Sequence, residues 1–147
     1  MGDVHKSGNP HYWLNPNNGK IIAKEIRDRL IILDPKNEQF YSKNYTSFAR
    51  KIDIKLNEWQ KRMAPYKDFQ IVTYHKVWPY FFDVFELHAI GELEPLPGIP
   101  PTSRHLMSLE TMLKKTNSHK LVLSASFYPR QVGESFSKKI DAKYASV

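Results

Sequence analysis

The sequence predicts an α/β fold in which a parallel sheet is flanked by helices and accompanied by one long helix. Short apolar stretches at 69–74, 87–93 and 120–124 are predicted as strands, and a fourth strand is predicted over 144–147. Helical patterns lie between these stretches, and this alternation is typical of βα units and a parallel sheet. Apolar residues at three- to four-residue spacing predict the long helix over 36–63.

The other elements follow from local signals. Residues 1–16 are rich in Gly, Asn and Pro and are predicted as a loop. A first helix over 17–33 is predicted from an apolar face made by Ile21, Ile22, Ile26, Leu30 and Leu33. Asp34 should end it, because a residue before proline avoids the helical region, and should then cap the long helix. Later helices are predicted at 78–85, 102–116 and 130–142, with a proline-rich loop at 94–101.

Composition limits the kinds of site and partner. The chain of 147 residues has no cysteine, so any metal site must use His, Asp or Glu. The net charge of +7 is spread along the chain, and a nucleic-acid partner is therefore not expected. A basic interaction module stays as an alternative, acting through Lys51, Lys55, Lys61 and Arg62 on the long helix.

Three of the six histidines are candidate metal ligands. His75 directly follows the strand 69–74, at the carboxyl end where open α/β sheets bind ligands. His11 lies in an aromatic, proline-containing segment before the first helix, and His5 is six residues earlier. The alternative for each is an ordinary hydrogen-bonded histidine at the edge of a loop. The remaining histidines, His88, His105 and His119, are predicted to be exposed to solvent.

Two further groups could carry chemistry. Glu92 and Glu94 alternate on a predicted strand and would share one face. A metal-dependent hydrolase using His11, His75 and Glu94 is therefore an alternative function, and it requires an open metal position beside the carboxylate. The aromatic residues Trp78, Tyr80, Phe81, Phe82 and Phe85 are predicted to be core rather than a stacking platform for bases or sugars.

Four segments, in order, carry a resemblance to a known family. They are residues 8–16 (GNPHYWLNP), 74–81 (YHKVWPYF), 94–101 (EPLPGIPP) and 127–130 (FYPR). Together they resemble the zinc- and manganese-binding solute-binding proteins of metal ABC importers, over nearly the whole chain. The resemblance implies two α/β lobes joined by a long rigid helix, with the metal held between the lobes by four side chains.

The resemblance also assigns site residues. His11 and His75 match two of the four ligands, His5 is an auxiliary candidate, and the other two ligands would lie outside this chain. Asn15 stands where the family has aspartate, and we expect this change to affect a helix cap rather than the metal. No catalytic residue and no organic cofactor is implied.

The implied organisation has three parts. Residues 1–35 would form the end of an N-terminal lobe with the metal-ligand loop, 36–64 the linker helix, and 65–147 most of the C-terminal α/β lobe. Because the chain ends inside a predicted strand, we expect it to be a fragment of a longer protein.

The implied function is transport rather than catalysis. A periplasmic or otherwise extracytoplasmic receptor would capture a divalent transition metal and deliver it to an ABC permease, although residues 1–5 show no signal peptide. Two histidines favour Zn²⁺ over Mn²⁺, because imidazole suits zinc and carboxylate suits manganese. A homo-oligomer bridged by the metal is a further alternative, since two imidazoles cannot fill a zinc coordination shell.

Overall fold

The part of the chain that the structure describes forms a four-stranded parallel sheet. The structure is a computed structural model that describes residues 8–96 and 98–147. The strands are β1 (Gln70–Thr73), β2 (Ala89–Glu92), β3 (Lys120–Ser124) and β4 (Lys143–Ser146), in the order β2-β1-β3-β4. All pairs are parallel, with Val72 opposite Val122 and Val122 opposite Tyr144. The predicted fold class is therefore confirmed.

In the described residues, five α-helices surround or extend from the sheet. They are α1 (Pro16–Leu33), α2 (Glu38–Met63), α3 (Pro79–Phe85), α4 (Ser103–Lys114) and α5 (Arg130–Lys139). The last three each connect two parallel strands, as βα units require. With 26 residues, α2 is about 39 Å long at 1.5 Å per residue, which confirms the predicted long helix.

The sheet separates two apolar clusters because successive side chains of a strand point to opposite faces. Ile71 belongs to the cluster that α2 and α3 cover, and Val72 to the cluster that α4 and α5 cover. On the first face, Leu56 of α2 meets the buried aromatic residues Trp78, Phe82 and Phe85. These three residues are therefore core, as predicted, with Phe81 packed against them, whereas Tyr80 is half-buried and lies outside the cluster.

Helices α1 and α2 form an antiparallel hairpin. Lys20 Nζ lies 2.6 Å from an Asp53 carboxylate oxygen, and the Arg27 guanidinium lies over the Tyr45 ring at 4.6 Å. Much of the apolar face of α1 remains in solvent, since Ile26 is 55% exposed and Leu33 is 80% exposed.

The prediction that Asp34 caps the long helix is wrong. Pro35–Asn37 form a 3-10 turn, and the α-helix begins only at Glu38. The Asp34 carboxylate instead accepts hydrogen bonds from the Asn37 amide (2.7 Å) and the Tyr41 hydroxyl (2.8 Å). These two donors, Asn37 first, lower the pKa of Asp34. In this tight turn the Asp34 carboxylate accepts hydrogen bonds from two side chains and from no backbone N–H of the helix.

Asn15 caps a helix, as the sequence predicted. Its side-chain oxygen accepts a hydrogen bond from the backbone N–H of Asn17 at 2.9 Å, at the start of α1. This is the geometry of a helix N-cap, for which asparagine and aspartate are about equally suited.

Candidate metal-binding site

His75 lies at the carboxyl end of the sheet. The chain leaves β1 through Tyr74, whose backbone N–H donates to Leu123 O (2.9 Å) and whose carbonyl accepts from the backbone N–H of Glu94 (2.8 Å). His75 follows immediately and is only 5% exposed. A turn closed by the hydrogen bond from Val77 N to His75 O (2.8 Å) then leads towards α3. The backbone around this histidine is thus fixed by the neighbouring strand and loop.

Glu94 packs against the His75 ring. Its Oε2 lies 2.8 Å from His75 Nδ1, and both side chains are largely buried. The contact is short but is not aligned as a regular hydrogen bond. Nitrogen and carboxylate oxygen atoms at this distance repel one another unless a proton lies between them. The contact therefore favours a ring with its proton on Nδ1, and in a ring with a single proton the lone pair would then lie on Nε2.

The position of Glu94 corrects one prediction. Strand β2 ends at Glu92, so Glu92 and Glu94 do not share a strand face. Glu94 belongs to the loop that follows, and its Oε1 accepts a hydrogen bond from the backbone N–H of Gly98 (2.9 Å). Because both carboxylate oxygens are engaged within the loop and by His75, Glu94 is poorly placed to act as the base of a metal-bound water.

His11 is held by its neighbour Asn9. The Asn9 Oδ1 atom accepts from the backbone N–H of His11 at 3.0 Å and lies 2.7 Å from the ring Nδ1. A short 3-10 turn, Tyr12–Leu14, begins directly after this histidine. The ring is half-buried and tilted against Trp13, with 5.4 Å between ring centroids.

The segment that carries His11 contacts the turn after His75. Asn9 Nδ2 donates to the Lys76 carbonyl at 2.8 Å, and the Tyr80 hydroxyl donates to the Asn9 carbonyl at 3.1 Å. The structure therefore joins the two segments predicted to supply metal ligands. His5 lies outside the described residues. Within residues 8–96 and 98–147, no group of three or more His, Asp or Glu side chains could hold a metal.

Aromatic rings form one wall beside His75. Tyr74 stacks on Tyr128 with centroids 4.7 Å apart, and the His75 ring is 5.7 Å from that of Tyr128. Burial raises the pKa of Tyr74, with smaller contributions from the Glu94 carboxylate and from Tyr144. The segment 127–130 thus lies at the same end of the sheet as His75.

Of the three histidines predicted to be exposed to solvent, two are exposed and one is partly buried. His88 and His119 are exposed, as expected. The prediction for His105 is wrong, because its Nε2 lies 2.7 Å from the Glu92 carbonyl in a partly buried contact. The first turn of α4 lies over the end of β2 and places this ring against the strand.

Sequence reasoning missed the role of Asn9. An asparagine two residues before a histidine can accept that residue's backbone N–H, and this local pattern was the available signal. The contact from Asn9 to Lys76 is separated by 67 positions and has no such signal.

Comparison with known proteins identifies the family. The family described as "ZnuA: Zinc-uptake complex component A periplasmic" matches residues 2–146, almost the entire chain. The chain belongs to this family. The family resemblance found in the sequence is therefore confirmed.

Individual relatives differ in their metal. A ZnuA-family high-affinity zinc uptake protein of Brucella abortus is 28% identical over 122 residues, 83% of this chain and 36% of that protein. The manganese ABC transporter substrate-binding lipoprotein PsaA of Streptococcus pneumoniae is 32% identical over 120 residues, 80% of this chain and 38% of that protein. A crystal structure of ZnuA superposes with a TM-score of 0.81 at 25% identity, covering 99% of this chain and 57% of that one.

These relatives define what is common to the family. The family is described as a periplasmic component of a zinc-uptake complex, and PsaA as the substrate-binding lipoprotein of a manganese transporter. Neither description is that of an enzyme, in agreement with the prediction from the sequence. They give no support to a metal-bridged homo-oligomer. This chain spans well under two thirds of their length. In the part of the chain that the structure describes, no helix combines the length and apolarity needed to cross a bilayer.

Proposed function

We propose that this ZnuA-family chain contributes His11 and His75 to the site of an extracytoplasmic receptor. The receptor would capture Zn²⁺ in preference to Mn²⁺ and deliver it to an ABC permease. The observation that carries this proposal is the contact between the two histidine segments, made by Asn9 and Tyr80. His5 is an auxiliary candidate.

The acceptor atoms beside the two imidazole rings support metal binding. Nδ1 of His75 faces a carboxylate and Nδ1 of His11 faces an amide oxygen. Metal-binding histidines usually donate one ring N–H to such an acceptor and use the other nitrogen as the ligand. Each imidazole would therefore present Nε2 to the metal.

The proposed division of the chain follows from the same contacts. Residues 1–35 would provide the His11 side of the site, 36–64 the linker helix, and 65–147 the lobe that carries His75. The metal would lie where the first and third segments meet. Ligands from the remainder of a longer protein would complete its coordination shell.

The choice of zinc rests on the donors. Two imidazole nitrogens bind Zn²⁺ more tightly than Mn²⁺, both by donor type and by the general order of divalent metal affinities. Relatives that bind manganese belong to the same family, so the metal must be tested directly.

The basic-module alternative is weakened by charge pairing. Lys55 Nζ lies 2.7 Å from a Glu58 carboxylate oxygen, and Asp53 is paired with Lys20. These acidic partners interrupt the row of lysines on α2. A strongly positive, uninterrupted surface, which a nucleic-acid or anionic-lipid site would need, is therefore not formed on this part of the helix.

Calorimetric titration of the chain with Zn²⁺ tests the proposal. We expect zinc binding that His11→Ala and His75→Ala each weaken at least about tenfold. Removing a residue that only hydrogen-bonds a metal ligand already costs about that much, and removing the ligand itself should cost no less. His5→Ala should have a smaller effect. Mn²⁺ should bind more weakly than Zn²⁺ under the same conditions.

His88→Ala is the matched control, since His88 is exposed and belongs to neither histidine segment. Its zinc affinity should equal that of the wild type. If His11→Ala and His75→Ala both bound zinc as tightly as the wild type does, the assignment of His11 and His75 would be wrong. Tighter binding of Mn²⁺ than of Zn²⁺ would contradict the choice of metal.

A further inference from the structure

We infer that Asn9 is a positioning residue that fixes the tautomer of His11 and attaches its segment to the turn after His75. The inference rests on the proposed metal-binding role of His11. It concerns how the ligand is prepared rather than which residues are ligands. Asn9 itself would not touch the metal.

The hydrogen bonds of Asn9 fix the orientation of its amide. Oδ1 accepts from the backbone N–H of His11 (3.0 Å), and Nδ2 donates to the Lys76 carbonyl (2.8 Å). Rotating the amide by half a turn would place N–H against N–H and oxygen against oxygen. Both contacts would become repulsive, so only one orientation satisfies its neighbours.

This orientation determines the proton on the His11 ring. An amide oxygen can only accept, and Asn9 Oδ1 lies 2.7 Å from Nδ1. This contact therefore favours the tautomer of a neutral ring that carries its proton on Nδ1 and its lone pair on Nε2. The same oxygen engages the backbone N–H and the ring of His11, so the rotation of the side chain is restricted as well.

The Nδ2 atom of Asn9 connects two parts of the chain that are distant in sequence. Lys76 follows His75, and its carbonyl receives the Nδ2 hydrogen bond. The Asn9 carbonyl also accepts from Tyr80 at the start of α3. One short side chain therefore contacts the ring of His11 and also attaches its segment to the turn after His75.

Nitrogen-15 NMR of the metal-free chain, at a pH of about 8 where imidazole is neutral, tests the tautomer directly. The ring signals of His11 are identified by their loss in His11→Ala. Wild type should show the Nδ1–H tautomer. Asn9→Ala should shift His11 towards Nε2–H, and Asn9→Asp, which keeps an acceptor oxygen, should retain Nδ1–H.

Zinc titration provides the second measurement. Asn9→Ala should weaken zinc binding about tenfold to a hundredfold, the usual cost of losing an outer-shell partner of a metal ligand. Asn18→Ala is the matched control, because Asn18 Nδ2 donates to the Tyr12 carbonyl in the same segment. It should leave the His11 tautomer and the zinc affinity unchanged.

The outcomes separate this inference from the proposed function. If Asn9→Ala retained the Nδ1–H tautomer, or if Asn18→Ala altered it equally, Asn9 would not be the residue that sets it. If wild type failed to bind zinc while the tautomer responded as expected, the proposed function would be wrong and the effect of Asn9 on the ring would still be established.

Discussion

The two histidines are positioned by different kinds of contact. His75 is held by burial, between Glu94 and the Tyr128 ring at the end of the sheet. His11 is only half-buried, and both its backbone N–H and its ring Nδ1 contact the Oδ1 atom of Asn9. His75 should therefore tolerate few changes in the surrounding core, and His11 should be sensitive to changes at Asn9.

The charge of Glu94 should matter for zinc binding. Glu94→Gln keeps the side-chain shape and an oxygen for the Gly98 N–H, but it removes the negative charge beside His75 Nδ1. An anionic partner makes the imidazole a better donor to a metal, so we expect zinc affinity to fall about tenfold. Calorimetric titration measures the change.

Glu92→Gln provides the comparison for that experiment. Glu92 bonds His105 through its main-chain oxygen, which the substitution leaves in place. Its zinc affinity should match that of the wild type. Equal losses in the two variants would point to a general effect of charge near the site and would contradict a specific partnership between Glu94 and His75.

At the residue scale, the sequence predicted where His75 lies but not what contacts it. The end of a buried strand is visible as an apolar run followed by a polar residue. The approach of Glu94 depends on the path of the loop after β2, in which Gly98 adopts a positive φ of 74°. Such a path is set by tertiary contacts and is not encoded in residue periodicity.

At the scale of elements, α5 approaches β4 closely at one glycine. A Cβ atom placed on Gly133 would lie 2.5 Å from Cε2 of Tyr144, far inside van der Waals contact. The Tyr144 hydroxyl is buried, so the ring has little room to move away. The absence of a side chain at Gly133 therefore allows the helix to pack on the edge of the sheet.

Substituting Gly133 by alanine should destabilise the fold. Overpacking typically costs about 1–3 kcal/mol, more than alanine gains in helix propensity. Gly19→Ala is the matched control, because the nearest atom to a Cβ placed on Gly19 is Phe48 Cζ at 4.0 Å. That variant should be neutral or more stable by up to about 1 kcal/mol. Urea unfolding measures both, and equal effects would contradict the close approach.

The order of elements was predictable, but some of their ends were not. Alternating apolar and helical patterns reveal βα units because each has its own period. Asp34 was misassigned because a short 3-10 turn precedes α2 and gives its carboxylate other partners. Turns of three residues carry too few positions to show a period.

At the scale of the whole molecule, the two helical faces differ in what they contribute to stability. Leu56 of α2 is buried against the sheet, whereas Ile26 and Leu33 of α1 are mostly in solvent. The apolar pattern of α1 predicted its helical structure correctly. Periodicity does not show whether an apolar face is covered, and the exposure of α1 was therefore not predictable.

This difference predicts opposite effects of substitution. Ile26→Gln combined with Leu33→Gln should reduce binding of an apolar fluorescent dye, with stability changed by about 0.5 kcal/mol or less per site. Leu56→Ala should instead cost about 2–5 kcal/mol, as expected for truncating a buried side chain. Dye titration and urea unfolding measure the two effects. A large loss of stability in the α1 variant would show that this face is covered in solution.

The bond from Asn9 to Lys76 has a consequence for sequence variation. It ends on a main-chain carbonyl, which every amino acid supplies, and the Lys76 side chain is exposed. Position 76 can therefore accept many side chains without breaking the connection, whereas position 9 requires an acceptor and a donor on one short side chain. In a saturation mutagenesis library selected for metal uptake, position 9 should be restricted and position 76 permissive.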